Sequence, residues 1–137
     1  MVSGFLYRRH GAVLLTLFSG YQVGQVRLIF RIPHSACADV FGAGTAPPDH
    51  LAYVEWFTAF TEPDPVNGLY KVTRSRDAQQ RRRASIIEVR HIRRSCHLYP
   101  ACHGQFPRDW SSSTVLDDCD TFFVSPFSDQ HMYMTLV

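Results

Sequence analysis

No stretch of this chain is apolar for long enough to cross a bilayer as a helix. The best candidate, the run 12–18, is far short of the roughly 20 residues such a span needs. Charge is also sparse: 19% of residues are Asp, Glu, Lys or Arg, against about a quarter in ordinary domains. With 45% hydrophobic and 13% aromatic residues, that balance excludes global disorder. Cysteine is limited to Cys37, Cys96, Cys102 and Cys119. A hydrophobic chain of 137 residues can bury a core without disulfide staples, so free thiols in a reducing compartment are expected. No internal repeat and no long amphipathic helix occurs, which excludes solenoids and helix bundles. Gly-x-Ser-x-Gly, a phosphate-binding glycine loop and His-Glu-x-x-His are all missing, and with them the signatures of several enzyme classes.

What is present reads as one domain of short strands. VGQVRLIFRIP, 23–33, alternates. Gly24, Val26, Leu28 and Phe30 share one face, and Val23, Gln25, Arg27, Ile29 and Arg31 the other, as in a half-buried strand ended by Pro33. The segment 42–50 is a loop on glycine and proline grounds. Residues 51–60 carry bulk on both faces, which suits a strand covered at least partly on both sides. A turn follows at 62–68, then a strand at 69–73, a polar basic loop at 74–83, and a β-branched strand at 85–92. The segment 100–114 is irregular, 113–120 holds one short helix capped by Ser113, and 121–126 and 132–136 are the last strands. The first 22 residues are a leader or a first strand. Arg8 and Arg9 before the apolar run resemble an export signal, but no small-x-small cleavage pattern follows, so secretion is not expected. The remainder, 23–137, is a single domain, mainly β, a barrel or sandwich.

Three clusters are candidate sites. CHLYPACH, 96–103, offers Cys96, His97, Cys102 and His103, but the five-residue gap between the cysteines does not fit usual zinc spacing, and no metal is expected. A Cys/His nucleophile would need a base within hydrogen-bond reach, which no spacing here fixes. Tyr53 and Phe57 flank Glu55 on one strand face, a set that can form an aromatic cage for a methylated ammonium; the simpler alternative pairs Glu55 with an arginine such as Arg90. Finally Arg74, Arg76, Arg81, Arg82, Arg83, Arg90, Arg93 and Arg94 put eight of the fourteen Lys and Arg within 21 residues. Phosphate contacts need such local density. The alternative is a solvated loop that keeps the protein soluble. RRRAS, 81–85, also fits a basophilic kinase consensus.

VEWF (54–57), ASIIEVRHIRRSCHLYP (84–100) and DTFFVSPFSD (120–129) together resemble the bromo-adjacent homology domain. Ile87–Val89, Ile92, Cys96–Leu98 and Asp120–Phe123 carry the likeness in order. Glu88 stands where that family has proline, and Phe127–Asp129 replaces its tyrosine-aspartate. The resemblance implies a small distorted β-barrel with one or two short helices. It also implies a chromatin-associated role, with histone tails as partners. VGQVRLIF, HLAYVEWFT, IRRSCHL and CDTFFV are also similar, in this order, to a segment that ends fungal transposase-like reading frames of the Plavaka type. That likeness implies derivation from a transposable element and brings no catalytic residues. The expectation is therefore a non-catalytic module, nuclear or cytoplasmic, that binds DNA or a histone tail without a cofactor. The alternatives are a structural or protein-interaction domain or a fragment of a longer transposase-like protein, and, third, a small Cys/His enzyme.

Overall fold

The computed structural model describes residues 11–17, 20–44, 48, 50–101 and 106–126. Among these residues eight strands form two antiparallel sheets: β1 (Ala12–Leu17), β2 (Gly20–Phe30), β3 (Leu51–Trp56), β4 (Tyr70–Thr73), β5 (Ala84–Glu88), β6 (Ile92–Ser95), β7 (Leu98–Pro100) and β8 (Thr121–Val124). The first sheet runs β5-β3-β2-β1-β6 and the second β4-β8-β7. The described residues also form the short helices α1 (His34–Phe41) and α2 (Val115–Asp118). The mainly β character expected from the alternation is what forms. The expected strand at 132–136 lies outside the described residues.

Strand β2 organises the first sheet. Its first half pairs with β1 and its second half with β3. Val26 lies opposite Val54 and Leu28 opposite Tyr53, so Arg27 is the extra residue of a bulge. Bulges bend a strand and re-aim the side chain they carry. The bulge interrupts the simple alternation read from the sequence. In addition, Val23, Gly24, Gln25 and Val26 are all buried, so the middle of β2 is covered on both faces rather than one.

The first sheet cannot be flat. β5 and β6 are its opposite edges, yet only the single 3-10 turn Val89–His91 separates them in sequence. Four Cα steps reach about 14 Å at most. Four strand spacings across a flat sheet already amount to about 19 Å. The sheet therefore curls. β5 and β6 are not paired with each other among the described residues, so it stays open there. Inside the curl sit Val13, Leu15, Val26, Ala52 and Val54, rimmed by Ile29, Trp56, Ile87, Val89 and Ile92.

The outer face packs on the second sheet. Ala12, Leu14, Val23 and Phe57 meet Val72, Phe122 and Val124, with Cys96 and Cys119 alongside. Phe57 and Phe122 cross edge to face with centroids 5.7 Å apart. Each such fully buried side chain contributes roughly 1.5–3 kcal/mol. Val115 and Leu116 of α2 and Trp110 pack against the same core, which anchors that helix beside the sheet junction. The bridge between Phe57 and Arg74 joins the two sheets.

Several details depart from the sequence reading. Residues 12–17 form an interior strand of the first sheet, and the next strand begins at Gly20 rather than at 23. The helix α1 had no apolar period to announce it: only Cys37 is buried. It follows Pro33 and stops at Gly42, whose φ of 87° lies in the left-handed region. Thr114, not Ser113, occupies the cap position of α2, and it makes no side-chain cap bond. Ser113 instead bonds the Ser111 hydroxyl at 2.7 Å.

Candidate functional site

The basic segment 74–83 is an ordered hairpin, not a loose loop. Arg76 bridges to Arg82, and the Arg83 N–H donates to Ser75 O at 2.8 Å. One carboxylate organises the tip. Asp77 Oδ1 accepts from the N–H groups of Gln79 and Arg81 at 2.9 Å each, while Asp77 Oδ2 pairs with Arg81 Nε at 3.0 Å. Gln80 takes a φ of 64° to complete the turn. The hairpin is stitched to β3, because the Trp56 N–H donates to Arg83 O and the Ser75 N–H to Trp56 O, both at 2.9 Å.

At the hairpin base three arginines converge on Glu55. Arg27 Nη2 and Arg82 Nη1 each lie 3.2 Å from Glu55 Oε2, and Arg74 Nη1 lies 3.6 Å away. Asp117 of α2 takes a second pair of contacts, from Arg27 and, at 3.0 Å, from Arg82. Arg27 reaches both carboxylates because the bulge aims it there. Arg74 is wholly buried as a side chain. Its guanidinium lies over the Phe57 ring, 4.4 Å from the centroid, and donates to Gln25 Oε1 and Leu116 O.

Three guanidiniums and two carboxylates leave one net positive charge at the sheet junction. The titration behaviour follows. Burial first, then the charge of Arg82, lowers Arg74 to about 10, so it remains charged at neutral pH. A hydrogen bond from Arg27 is the chief reason that the Asp117 carboxyl falls to about 2. For Arg27 itself burial opposes the charge, but the hydrogen bond to Asp117 and the charges of Glu55 and Asp117 outweigh it and raise its pKa.

Beside this network opens a cleft of about 790 Å³ between β3, β5 and the hairpin. Tyr53, Trp56, Asp77, Arg81, Arg82, Arg83 and Ser85 are among the residues that line it. Tyr53 is 39% exposed, and the Arg81 side chain 74%. The Trp56 indole N–H donates to Ser85 Oγ at 2.9 Å, and Arg83 Nε donates to Arg76 O at 3.1 Å. Aromatic faces beside exposed guanidiniums can stack a planar group and hold an anion at the same time.

The arginines singled out from the sequence thus divide. Arg81, Arg82 and Arg83 line the cleft. Arg74 is consumed in the buried network, and Arg76 pairs with Asp120 at 2.8 Å. Arg90 pairs with its neighbour Glu88 at 2.6 Å, and Arg93 donates to Thr16 Oγ1 at 2.7 Å. Arg94 is half-buried on β6, away from the cleft. The aromatic set also sorts differently from the expectation. Phe57 is fully buried and Glu55 faces three arginines, none of them Arg90, so Tyr53, Glu55 and Phe57 do not enclose one open cage. Trp56, the next residue along the strand, is half-buried at the cleft. Cys96 is buried, its thiol pushed up to about 12 by desolvation, while His97 is exposed. Cys102 and His103 lie outside the described residues.

Arg27, Gln25 and Asp117 were missed as partners of this site. Arg27 and Glu55 sit on strands that neither local pattern nor spacing pairs. Asp117 reads simply as an acid in the first turn of a helix. No model of a known family, no curated protein and no solved structure matches the chain. Its functional reading therefore rests on the geometry of the cleft.

Proposed function

We propose that this protein is a non-catalytic binding module whose partner is nucleic acid, held in the cleft between β3, β5 and the hairpin. The observation that carries this reading is the meeting of Tyr53 and Trp56 with Arg81 and Arg83 in one open cleft. The guanidiniums supply sequence-independent attraction to phosphate, and the rings supply faces on which bases stack. Single strands present unstacked bases and are the favoured form. The distorted barrel similar to the bromo-adjacent homology fold belongs to the same proposal. It is supported by the curl of the first sheet and by the bridge from Phe57 to Arg74. A chromatin setting and an origin in a transposable element follow from the resemblances alone. No helix among the described residues is long and apolar enough to cross a membrane.

The test separates structural from binding arginines. Arg82 holds Glu55 and Asp117, so its removal would disturb the fold. Arg81→Ala with Arg83→Ala leaves that network in place. A labelled oligothymidylate should bind the parent with a dissociation constant on the order of 10⁻⁴–10⁻⁶ M at physiological salt, and more tightly at lower salt. The double variant should bind more weakly, with a salt slope reduced by about two. Tyr53→Ala should weaken single-strand binding by about 1–3 kcal/mol. No binding at about 50 mM salt, where screening is modest, or unchanged binding in the double variant, would overturn the reading.

A further inference from the structure

The cleft contains a hydroxyl that its ligand chemistry does not require. Ser85 stands on β5, an edge strand of the first sheet, and is exposed. Its Oγ accepts the hydrogen bond from Trp56 Nε1 and faces the space that Arg81, Arg82 and Arg83 also line. In sequence the same arginines stand four, three and two residues before it. We propose that Ser85 is a phosphorylation site for a basophilic protein kinase, and that its phosphate closes the cleft to nucleic acid. This inference rests on the proposed function for its consequence, but not for the modification itself.

The chemistry is an ordinary phosphoryl transfer from ATP. The Ser85 Oγ–P bond forms, the bond between the β- and γ-phosphates of ATP breaks, ADP leaves, and the hydroxyl proton passes to the kinase base. The local backbone suits the reaction, because residues 84–88 are already extended and, among the described residues, β5 has a neighbour on one side only. Arg81 and Arg83 are exposed. The product places about −1.5 to −2 charges among cations that otherwise face a polynucleotide. Three phosphate oxygens also accept more strongly than the hydroxyl did, so the Trp56 N–H retains a partner. The modified side chain is in effect a tethered competitor for the cleft.

The full chain is incubated with Mg-ATP and the catalytic subunit of a cyclic-AMP-dependent kinase. One phosphate should appear, mapped to Ser85 by peptide sequencing, and the Ser85→Ala variant should lose that phosphopeptide. In a nitrogen–proton correlation spectrum the Trp56 indole signal should move while that of Trp110 stays. Oligothymidylate affinity should then fall at least about tenfold, with a salt slope about two units shallower. Phosphate on other residues only, or an unmoved Trp56 signal, overturns the modification site. A modified protein that binds as tightly as the parent overturns the closure. If the unmodified protein binds no oligonucleotide, the proposed function fails, while the mapping and the indole signal still decide the site.

Discussion

Replacing Glu55 by glutamine should be among the costliest isosteric changes this protein can undergo. The side chain is only 15% exposed and faces three guanidiniums at 3.2, 3.2 and 3.6 Å. At about 4 Å between charges and an effective dielectric near 20, each pair carries about 4 kcal/mol of gross attraction. Desolvation of the carboxylate offsets much of that sum. Its removal does not return the offset, because Arg74 stays buried and Arg27 and Arg82 half-buried. Three cations would then share Asp117 alone, and Arg74 would lose the carboxylate nearest to it. Breaking a buried pair from one side costs about 3–5 kcal/mol. Urea unfolding followed by far-UV circular dichroism should show that loss at unchanged m-value. Glu88→Gln is the control. It removes one carboxylate from an exposed pair with Arg90, and should cost no more than about 1 kcal/mol. Arg74→Met removes the most buried cation while keeping length over Phe57. Combined with Glu55→Gln, it should lose less stability than the two single changes added, by about 0.5–3 kcal/mol. Equal losses for Glu55→Gln and Glu88→Gln, or strict additivity in the double variant, would refute the idea that the network acts as a buried unit.

Two further outcomes follow from the same geometry. The Asp117 carboxyl titrates at about 2 in the fold against an ordinary 3.8, so its stabilisation is full above the ordinary value and lost as pH falls through the lower one; the melting-temperature gap between parent and Asp117→Asn should hold steady from about pH 7 to about pH 5 and close as pH approaches about 2, and a gap that closes by about pH 5 would contradict the pairing with Arg27 and Arg82. A Cβ at Gly24 would fall on Val54 Cγ1 and stand 3.1 Å from Leu15 Cδ1; Gly24→Ala should therefore cost about 1–3 kcal/mol by overpacking the interior of the curl, and a parent-like urea midpoint would show that the sheet is less tightly curled than described.

The sequence alone determined what short-range patterns can encode. Alternation over 23–33, bulk over 51–60, β-branching over 85–92 and the apolar run 121–126 named strands that form within those bounds, though the 3-10 turn Val89–His91 cuts the third short. Proline and glycine ended them. The density of arginine around 74–83 marked the segment that becomes the cleft wall. Tertiary structure alone decided which of those residues face the cleft. A bulge at Arg27 and the docking of α2 bring Arg27, Glu55, Arg82 and Asp117 together from four separate segments, and no local pattern reports such a meeting. The same docking buries Arg74. The second sheet covers Phe57 and leaves its neighbour Trp56 half-buried at the cleft. The reason is physical: parity fixes the face on which a side chain lies, but only the packing of the second sheet decides which part of that face is covered.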